Sequence, residues 1–312
     1  MHDRESNEPI LLSIIVLTYN RRELVVQCMK SIYENLSEID DNYEIIVVDD
    51  HSTDGTYETL QKAFPDIILI QHKENMLPCK GMADGIENAR GEFIVRIDDD
   101  NILKNHCIRN LLKIVVANKE VAFCGGISYD QYGNLTTNIG TIYTNILKRR
   151  KLPYNKITGS ADSSVYEVDV VDNLYIFRRE TVELSTYRLS CVLFPWIYED
   201  TYFQLLAKTA NYKIIVEPSA VSVHHIRGSS LSERETYYYI RSKALLLRAV
   251  YGLSGLKLGL IFSFFFFSTI GTIPLYERQI SRWPVLIKAV IGGARSGMTF
   301  KHQALNSLRL QK

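Results

Sequence analysis

Residues 92–101 read Glu-Phe-Ile-Val-Arg-Ile-Asp-Asp-Asp-Asn, a short apolar run that ends in Asp98, Asp99 and Asp100. Phe93, Ile94 and Val95 follow one another without polar alternation, and the stretch reads as a strand of a parallel sheet. Three adjacent carboxylates repel one another and cost stability unless a cation neutralises them. Mg²⁺ or Mn²⁺ takes oxygen ligands and commonly bridges one or two carboxylates to a diphosphate. A solvated acidic turn is the plain alternative. Position decides against it, because a second acidic pair, Asp49-Asp50, stands at the end of another such strand.

Working outward, Leu11–Leu17 is a buried strand followed by Thr18-Tyr19-Asn20, and a helical pattern runs from Arg21 to Leu36. Tyr43–Val48 is a second strand and enters the polar turn Asp49-Asp-His-Ser-Thr-Asp-Gly-Thr56. Asp54 or Thr53 is placed to cap the helix that continues to Phe64. Ile67–Ile70 is a third strand, and Pro78–Ala89 a helix that Gly91 is expected to close. A helix over Lys104–Asn118 and a strand at Val121–Cys124 follow. This alternation means βαβ units and an α/β fold on a mostly parallel sheet. Ligands in such sheets bind beyond the carboxyl ends of the strands, so both acidic clusters come to one rim. Residues 128–165 lack clear periodicity and read as hairpins and loops over that rim. Val168–Phe177 reads as a strand or strand pair, Phe203–Ala210 as a helix, Lys213–Val216 as a strand and Ser232–Val250 as a long helix.

A chain of 312 residues exceeds one usual domain, and 46% hydrophobic with 23% charged residues excludes bulk disorder. The net charge of +1 gives no global field for nucleic acid. Charge is nonetheless uneven: from Leu245 onward nine Lys/Arg face one acid, a balance of +8, which leaves −7 for the rest. The five cysteines, scattered and without a Cys-x-x-Cys pair, fit a reducing compartment better than a disulfide or zinc framework. Residues 1–10 are expected to form a polar tail, without the apolar core of a signal peptide. Residues 11–240 are expected to form the catalytic domain, and 241–312 a helical, apolar and basic region.

Three motifs carry a resemblance: Ser13-Ile-Ile-Val-Leu-Thr-Tyr-Asn-Arg, Val47-Val-Asp-Asp-His-Ser-Thr-Asp-Gly-Thr, and Gly85 through Asn101. In order and spacing the chain resembles family 2 glycosyltransferases of the glycosyltransferase-A fold. The likeness continues through Trp196-Ile-Tyr-Glu-Asp, Val223-His-His and Tyr238-Tyr-Ile-Arg-Ser. It implies inverting transfer of a sugar from a nucleotide-sugar donor to a hydroxyl acceptor. By that resemblance Thr18 and Asn20 line the nucleotide pocket, Asp50 holds base or ribose, and Asp99 lies against the donor. Asp98 and Asp100 form the Asp-x-Asp metal motif for Mn²⁺ or Mg²⁺, with Asp100 the direct ligand.

Glu199-Asp200 looks like the family's acidic pair near the acceptor. Direct displacement needs a base for the acceptor hydroxyl, and Asp200 is assigned that part. Asp200 also stands where the cap of the following helix would lie. His224 or His225 supplies a further metal ligand or a diphosphate contact. Neighbours in a strand face opposite sides, so only one of them can point into the site. Arg227 and Arg241 suit diphosphate oxygens, which a guanidinium meets in bidentate fashion. Some positions depart from the family: Met82-Ala83 replaces a frequent Arg-Asn, Leu77 a glycine, Tyr202 an acid and Ser242 an Asn.

Leu258–Tyr276 is nineteen residues without a charge, flanked by Lys257 and Arg278. That is near the ~20 residues of a spanning helix, and the basic flanks suit an anionic membrane surface. A span, an interfacial helix and an oligomer contact remain open for it. The sequence therefore points to a cytoplasmic enzyme on the inner face of the cell membrane, with a polyprenyl-linked or glycan acceptor. Two rivals stand. A nucleotidyltransferase would show a Gly-rich basic loop after the first strand, which Leu17-Thr-Tyr-Asn-Arg is not. A catalytically degenerate sugar-binding or membrane scaffold would not need Asp98, Asp100 and Asp200. A dehydrogenase lacks support because no Gly-x-Gly-x-x-Gly follows a strand.

Overall fold

The computed structural model describes residues 11–40, 42–136, 140–143, 149–151 and 165–225, together with 238, 239, 241, 242, 245 and 246. It divides into two compact units: Met1–Arg188 with Phe203–Arg227, and Leu189–Tyr202 with Gly228–Lys312.

The first unit is built on a nine-stranded sheet. In chain order its leading elements are β1 (Leu12–Thr18), α1 (Arg22–Leu36), β2 (Tyr43–Asp49), α2 (Thr56–Ala63), β3 (Ile68–Gln71), α3 (Pro78–Asn88) and β4 (Phe93–Asp98). Then come β5 (Asn101–Leu103), α4 (Cys107–Ala117), β6 (Val121–Tyr129) and a small separate hairpin of β7 (Thr141–Tyr143) and β8 (Arg149–Lys151). β9 (Tyr166–Val168), β10 (Leu174–Arg178), α5 (Leu184–Leu193), α6 (Glu199–Thr209) and β11 (Lys213–His224) complete the described elements. The sheet order is β3-β2-β1-β4-β10-β6-β11-β5, with β9 on β11. β3, β2, β1 and β4 are mutually parallel; β10 is antiparallel to both β4 and β6.

The central strands are largely apolar because helices cover them, with Ser13, Glu44 and Arg96 as buried polar exceptions. Leu12, Ile14, Ile15 and Val16 of β1 are fully buried. α1 supplies Val25, Cys28, Met29, Ile32 and Leu36 to the core, the i, i+3, i+4, i+7 stripe of an amphipathic helix. All five cysteines are free thiols and four of them are buried.

Several local expectations change. α3 ends at Asn88, and Ala89 leaves it in an extended conformation, so Gly91 does not close the helix. Gly91 instead allows a close approach to β1: a β-carbon there would lie 2.6 Å from Ser13 N and 2.8 Å from Leu12 C. Both are backbone atoms, which cannot step aside. Gly91→Ala is therefore expected to destabilise the protein by about 1–3 kcal/mol, the usual cost of overpacking, read as a lower denaturant midpoint with unchanged slope. Neither of the two expected caps, Asp54 or Thr53, holds the cap position of α2: Gly55 does, at φ 82°, and Asp54 just before it accepts the Thr56 N–H on its Oδ1 at 3.1 Å. The expected strand pair at 168–177 is split between two places: β9 lies on β11, whereas β10 sits between β4 and β6.

In the second unit Phe194 stacks on Tyr202 at 5.4 Å, and the rings of Tyr198 and Tyr239 are 5.8 Å apart. Residues 238, 239, 241, 242, 245 and 246 are helical. The rest of the expected helix at Ser232–Val250, the apolar run Leu258–Tyr276, Arg227 and residues 1–10 lie outside the described residues. Among the described residues, no helix is long and apolar enough to cross a membrane.

Candidate active site

Register aligns the carboxyl ends of the parallel strands. Thr18 pairs with Asp49, Asp49 with Gln71, and Leu17 with Asp98. Thr18, the Asp49-Asp50 pair and the Asp98–Asp100 triplet therefore share one rim, as the strand pattern requires. After β4 the chain turns through Asp99 and Asp100 and enters β5, which runs antiparallel to β11 with Asn101 opposite His224. That pairing brings the histidine in from 124 residues away. His224 Nε2 lies 3.2 Å from Asp100 Oδ1, while the N–H of His225 donates to the Asp100 carbonyl at 2.8 Å. Of the two histidines, His224 is thus the one whose ring meets the acidic cluster. Asn173 Nδ2 stands 3.3 Å from its other nitrogen.

The three aspartates have different surroundings. Asp98 is the most open and pairs with Arg96 Nη2 at 3.3 Å. Asp99 is buried, and Arg21 Nη1 bridges its Oδ1 at 2.7 Å and Asp100 Oδ2 at 2.6 Å. Burial, then the charge of Asp100, push the Asp99 carboxyl up to about 6 against the pull of Arg21. Asp100 goes the other way: burial works to raise it, but His224 and Arg21 outweigh burial and hold it below the usual carboxylate value. Burial works to lower His224, yet Asp100 prevails and the imidazole is raised.

Asp100 and His224 fit a divalent ion as two adjacent ligands. Neighbouring corners of an octahedron with bonds of ~2.1 Å are roughly 3 Å apart, close to the 3.2 Å between Asp100 Oδ1 and His224 Nε2. Among the described residues, the buried Asp100 Oδ1 accepts no well-formed hydrogen bond and lies against His224 Nε2. Of the expected ligand set Asp98, Asp100, His224 and His225, the side chains of Asp100 and His224 face each other. Among the described residues no three His, Cys, Asp or Glu side chains converge as a metal cage. Asp98 is turned to Arg96, and His225 contributes its backbone. Two protein ligands are what an ion shared with a substrate diphosphate calls for.

The residues expected on the nucleotide side are tied into the protein. Asn20, at φ 52°, accepts the Thr53 N–H on its Oδ1 at 2.8 Å and donates its own N–H to Ser52 Oγ at 2.8 Å. It holds the turn after β2 against the end of β1. Asp50, expected on base or ribose, has both oxygens engaged. Oδ1 accepts the Met76 N–H at 2.7 Å and lies 2.7 Å from His72 Nδ1, and Oδ2 accepts the Leu77 N–H at 2.9 Å. Thr18 is buried at the strand end.

Glu199, Asp200 and Arg241 belong to the second unit. The Tyr198 carbonyl accepts the Tyr202 N–H at 3.0 Å, so Tyr198, at φ 74°, holds the cap position of α6. Asp200 is the second helical residue rather than the cap, and its Oδ1 accepts the Thr201 N–H at 2.7 Å. Glu199 is buried. Arg241 donates to the carbonyls of Leu193 and Val192, at 2.6 and 3.4 Å, where α5 ends. A cation there satisfies orphan helix carbonyls, which explains that part of its placement without a diphosphate.

Two groups at the rim were not singled out from the sequence. Arg21 follows Thr18-Tyr-Asn directly, but nothing in its spacing says it will reach residues 99 and 100. His72 was legible in principle, since it follows a strand whose carboxyl end lies on the same rim.

Comparison with known proteins agrees with this architecture. The family model for glycosyl transferase family 2 matches residues 13–175, just over half of the chain. A poly(ribitol-phosphate) beta-glucosyltransferase of Bacillus spizizenii is 31% identical over 101 residues, 31% of this chain and 16% of that protein. A Methanococcus voltae dolichyl N-acetyl-alpha-D-glucosaminyl phosphate 3-beta-D-2,3-diacetamido-2,3-dideoxy-beta-D-glucuronosyltransferase is 24% identical over 253 residues, 77% of this chain and 75% of that protein. The mannosyltransferase of Pyrobaculum calidifontis in complex with GDP-Man and Mn²⁺ superposes with a TM-score of 0.55 at 16% identity, covering 94% of this chain and 88% of that one. At that identity the superposition speaks for the fold.

Proposed function

The chain belongs to glycosyl transferase family 2, and from that premise we propose that it transfers a sugar from a nucleotide-sugar donor to a hydroxyl acceptor with inversion. The observation that carries this reading is Asp100 beside His224 at the carboxyl rim of a parallel sheet, their facing atoms 3.2 Å apart. Asp100 and His224 would hold Mn²⁺ or Mg²⁺. Such an ion neutralises the charge that builds on a departing nucleoside diphosphate. Arg21, already bridging Asp99 and Asp100, supplies a second positive charge where the diphosphate would lie. Thr18 and Asn20 shape the nucleotide side. Asp200 takes the acceptor hydroxyl proton as that oxygen attacks the anomeric carbon, and Glu199 stands beside it in the first turn of α6.

The acceptor is proposed to be lipid-linked or a glycan. The archaeal relative is named for a dolichyl-linked sugar phosphate and the Bacillus relative for a poly(ribitol-phosphate). The uncharged run Leu258–Tyr276 between basic residues suits contact with the inner face of the cell membrane, where a polyprenyl-linked acceptor would be met.

The reading is tested by thermal unfolding of the purified full-length chain with a panel of nucleoside diphosphates and Mn²⁺. A ligand at a hundredfold its Kd adds ~2.7 kcal/mol. For a protein of this size that is a rise of roughly 4 °C. One nucleotide is expected to stand out, and more strongly with Mn²⁺ than without it. A panel that leaves the melting temperature flat would refute nucleotide-sugar use.

A further inference from the structure

The rim carries a second charged cluster, on the β3 side, that the transfer chemistry above leaves unused. His72 follows β3 directly, and both of its ring nitrogens meet carboxylates. Nδ1 lies 2.7 Å from Asp50 Oδ1, and Nε2 lies 3.0 Å from Asp84 Oδ2 on α3. Lys80, one turn earlier on α3, pairs with the other oxygen of Asp84. The His72 and Asp50 side chains are 9% and 11% exposed, so water does little to screen them. The ring is thus held between two carboxylates, with Lys80 behind Asp84. His51 is the other titratable group close by, and its ring turns to the His72 carbonyl at 3.3 Å rather than to the ring.

What His72 steadies is a backbone segment. Asp50 accepts the N–H groups of Met76 and Leu77 at 2.7 and 2.9 Å. Leu77 sits at φ 72°, ψ 157°, a region unfavourable to any residue with a β-carbon, and it leads directly into Pro78 of α3. Two N–H···carboxylate bonds hold it there, and His72 with Asp84 behind it fixes the carboxylate. Asp49, one residue before Asp50, is in register with both Thr18 and Gln71, so residues 72–77 border the nucleotide side of the rim.

We propose that His72 is a positioning residue for the nucleoside end of the donor: held between Asp50 and Asp84, it keeps Asp50 on the Met76 and Leu77 amides and so fixes the wall that receives base and ribose. The proposal rests on the nucleotide-sugar reading for its ligand, and on the hydrogen-bond geometry alone for the clamp.

The test uses full-length protein as wild type, His72→Gln and Asp84→Asn. UDP and GDP, each with Mn²⁺, are titrated calorimetrically. His72→Gln is expected to bind the preferred nucleotide at least ~10-fold more weakly, and Asp84→Asn several-fold more weakly. Equal affinities overturn the proposal. If His72→Gln does not fold, Asp84→Asn is read by the same criterion. Amide exchange at Met76 and Leu77 in ligand-free protein gives a separate reading, with exchange expected to quicken at least ~10-fold in the variant. Unchanged protection overturns the clamp even where nucleotides bind. A wild type that binds neither nucleotide overturns the donor reading, and the exchange data then show whether the clamp exists without it.

Discussion

Asp100→Asn is expected to leave a folded protein whose transfer activity has fallen by a factor of about 10³ or more. The substitution keeps the shape of the side chain and removes its charge. Asp100 lies 3.2 Å from His224 on one oxygen and 2.6 Å from Arg21 on the other, so it links the proposed ion to the cationic side of the site. Lewis-acid support for a leaving diphosphate is worth several kcal/mol, and each 1.36 kcal/mol is tenfold in rate. A chelator should reproduce the loss in the wild type, and Mn²⁺ should reverse it. A readout free of turnover is available as well: Mn²⁺ with the preferred nucleotide should raise the melting temperature of the wild type and do so far less in Asp100→Asn. Full activity in excess chelator would refute the metal assignment.

The same substitution changes how stability depends on pH in metal-free protein. Asp100 has a folded pKa below its unfolded value, so its contribution is present above the unfolded pKa and lost as pH falls through the folded one. Asp99 has the opposite sign. Its carboxyl, raised to about 6, favours the folded state below an unfolded pKa of ~3.9, and that advantage is lost as pH climbs toward 6. Asp100→Asn removes the first dependence and weakens the second, because the charge of Asp100 is one of the causes that raise Asp99.

Asp200→Asn is expected to lower turnover by about 10²–10⁴-fold, the usual contribution of a general base, while leaving donor binding and folding nearly intact. Because Tyr198 holds the cap position, the rival reading of Asp200 as the helix cap no longer competes. What remains for stability is a negative charge in the first turn of α6, worth ~0.3–1 kcal/mol. Asparagine can still accept the Thr201 N–H that Asp200 Oδ1 takes at 2.7 Å, but it cannot accept a proton at neutral pH. Single-turnover kinetics with saturating donor, set beside a melting curve, separates the two effects. If Asp200→Asn keeps its turnover and Glu199→Gln loses it, the base is Glu199.

Much of the site was readable along the chain. Buried parallel strands are continuous apolar runs, so the ends of β1, β2 and β4 show as the places where such runs meet Thr18, Asp49 and Asp98. The local reading was weaker where backbone conformation takes over. Gly91 looked like a helix stop and is a close-packing position. Tyr198, with nothing in its side chain to mark it, takes the cap at positive φ.

The sequence by itself determined the parallel α/β sheet and the rim on which the acidic clusters gather, because both follow from strand periodicity and from which residues end each strand. It also determined that three carboxylates in a row need positive charge nearby. Only the tertiary structure decided where that charge comes from. Arg21 reaches Asp99 and Asp100 across 78 and 79 residues, and His224 reaches Asp100 because β5 and β11 pair antiparallel. It likewise decided that Asp50 faces His72 and the Met76 and Leu77 amides. The physical reason is the same in each case. Identity and spacing tell which groups a chain carries to the end of a strand, but the partner of a side chain there is set by crossovers and pairings that bring distant segments together.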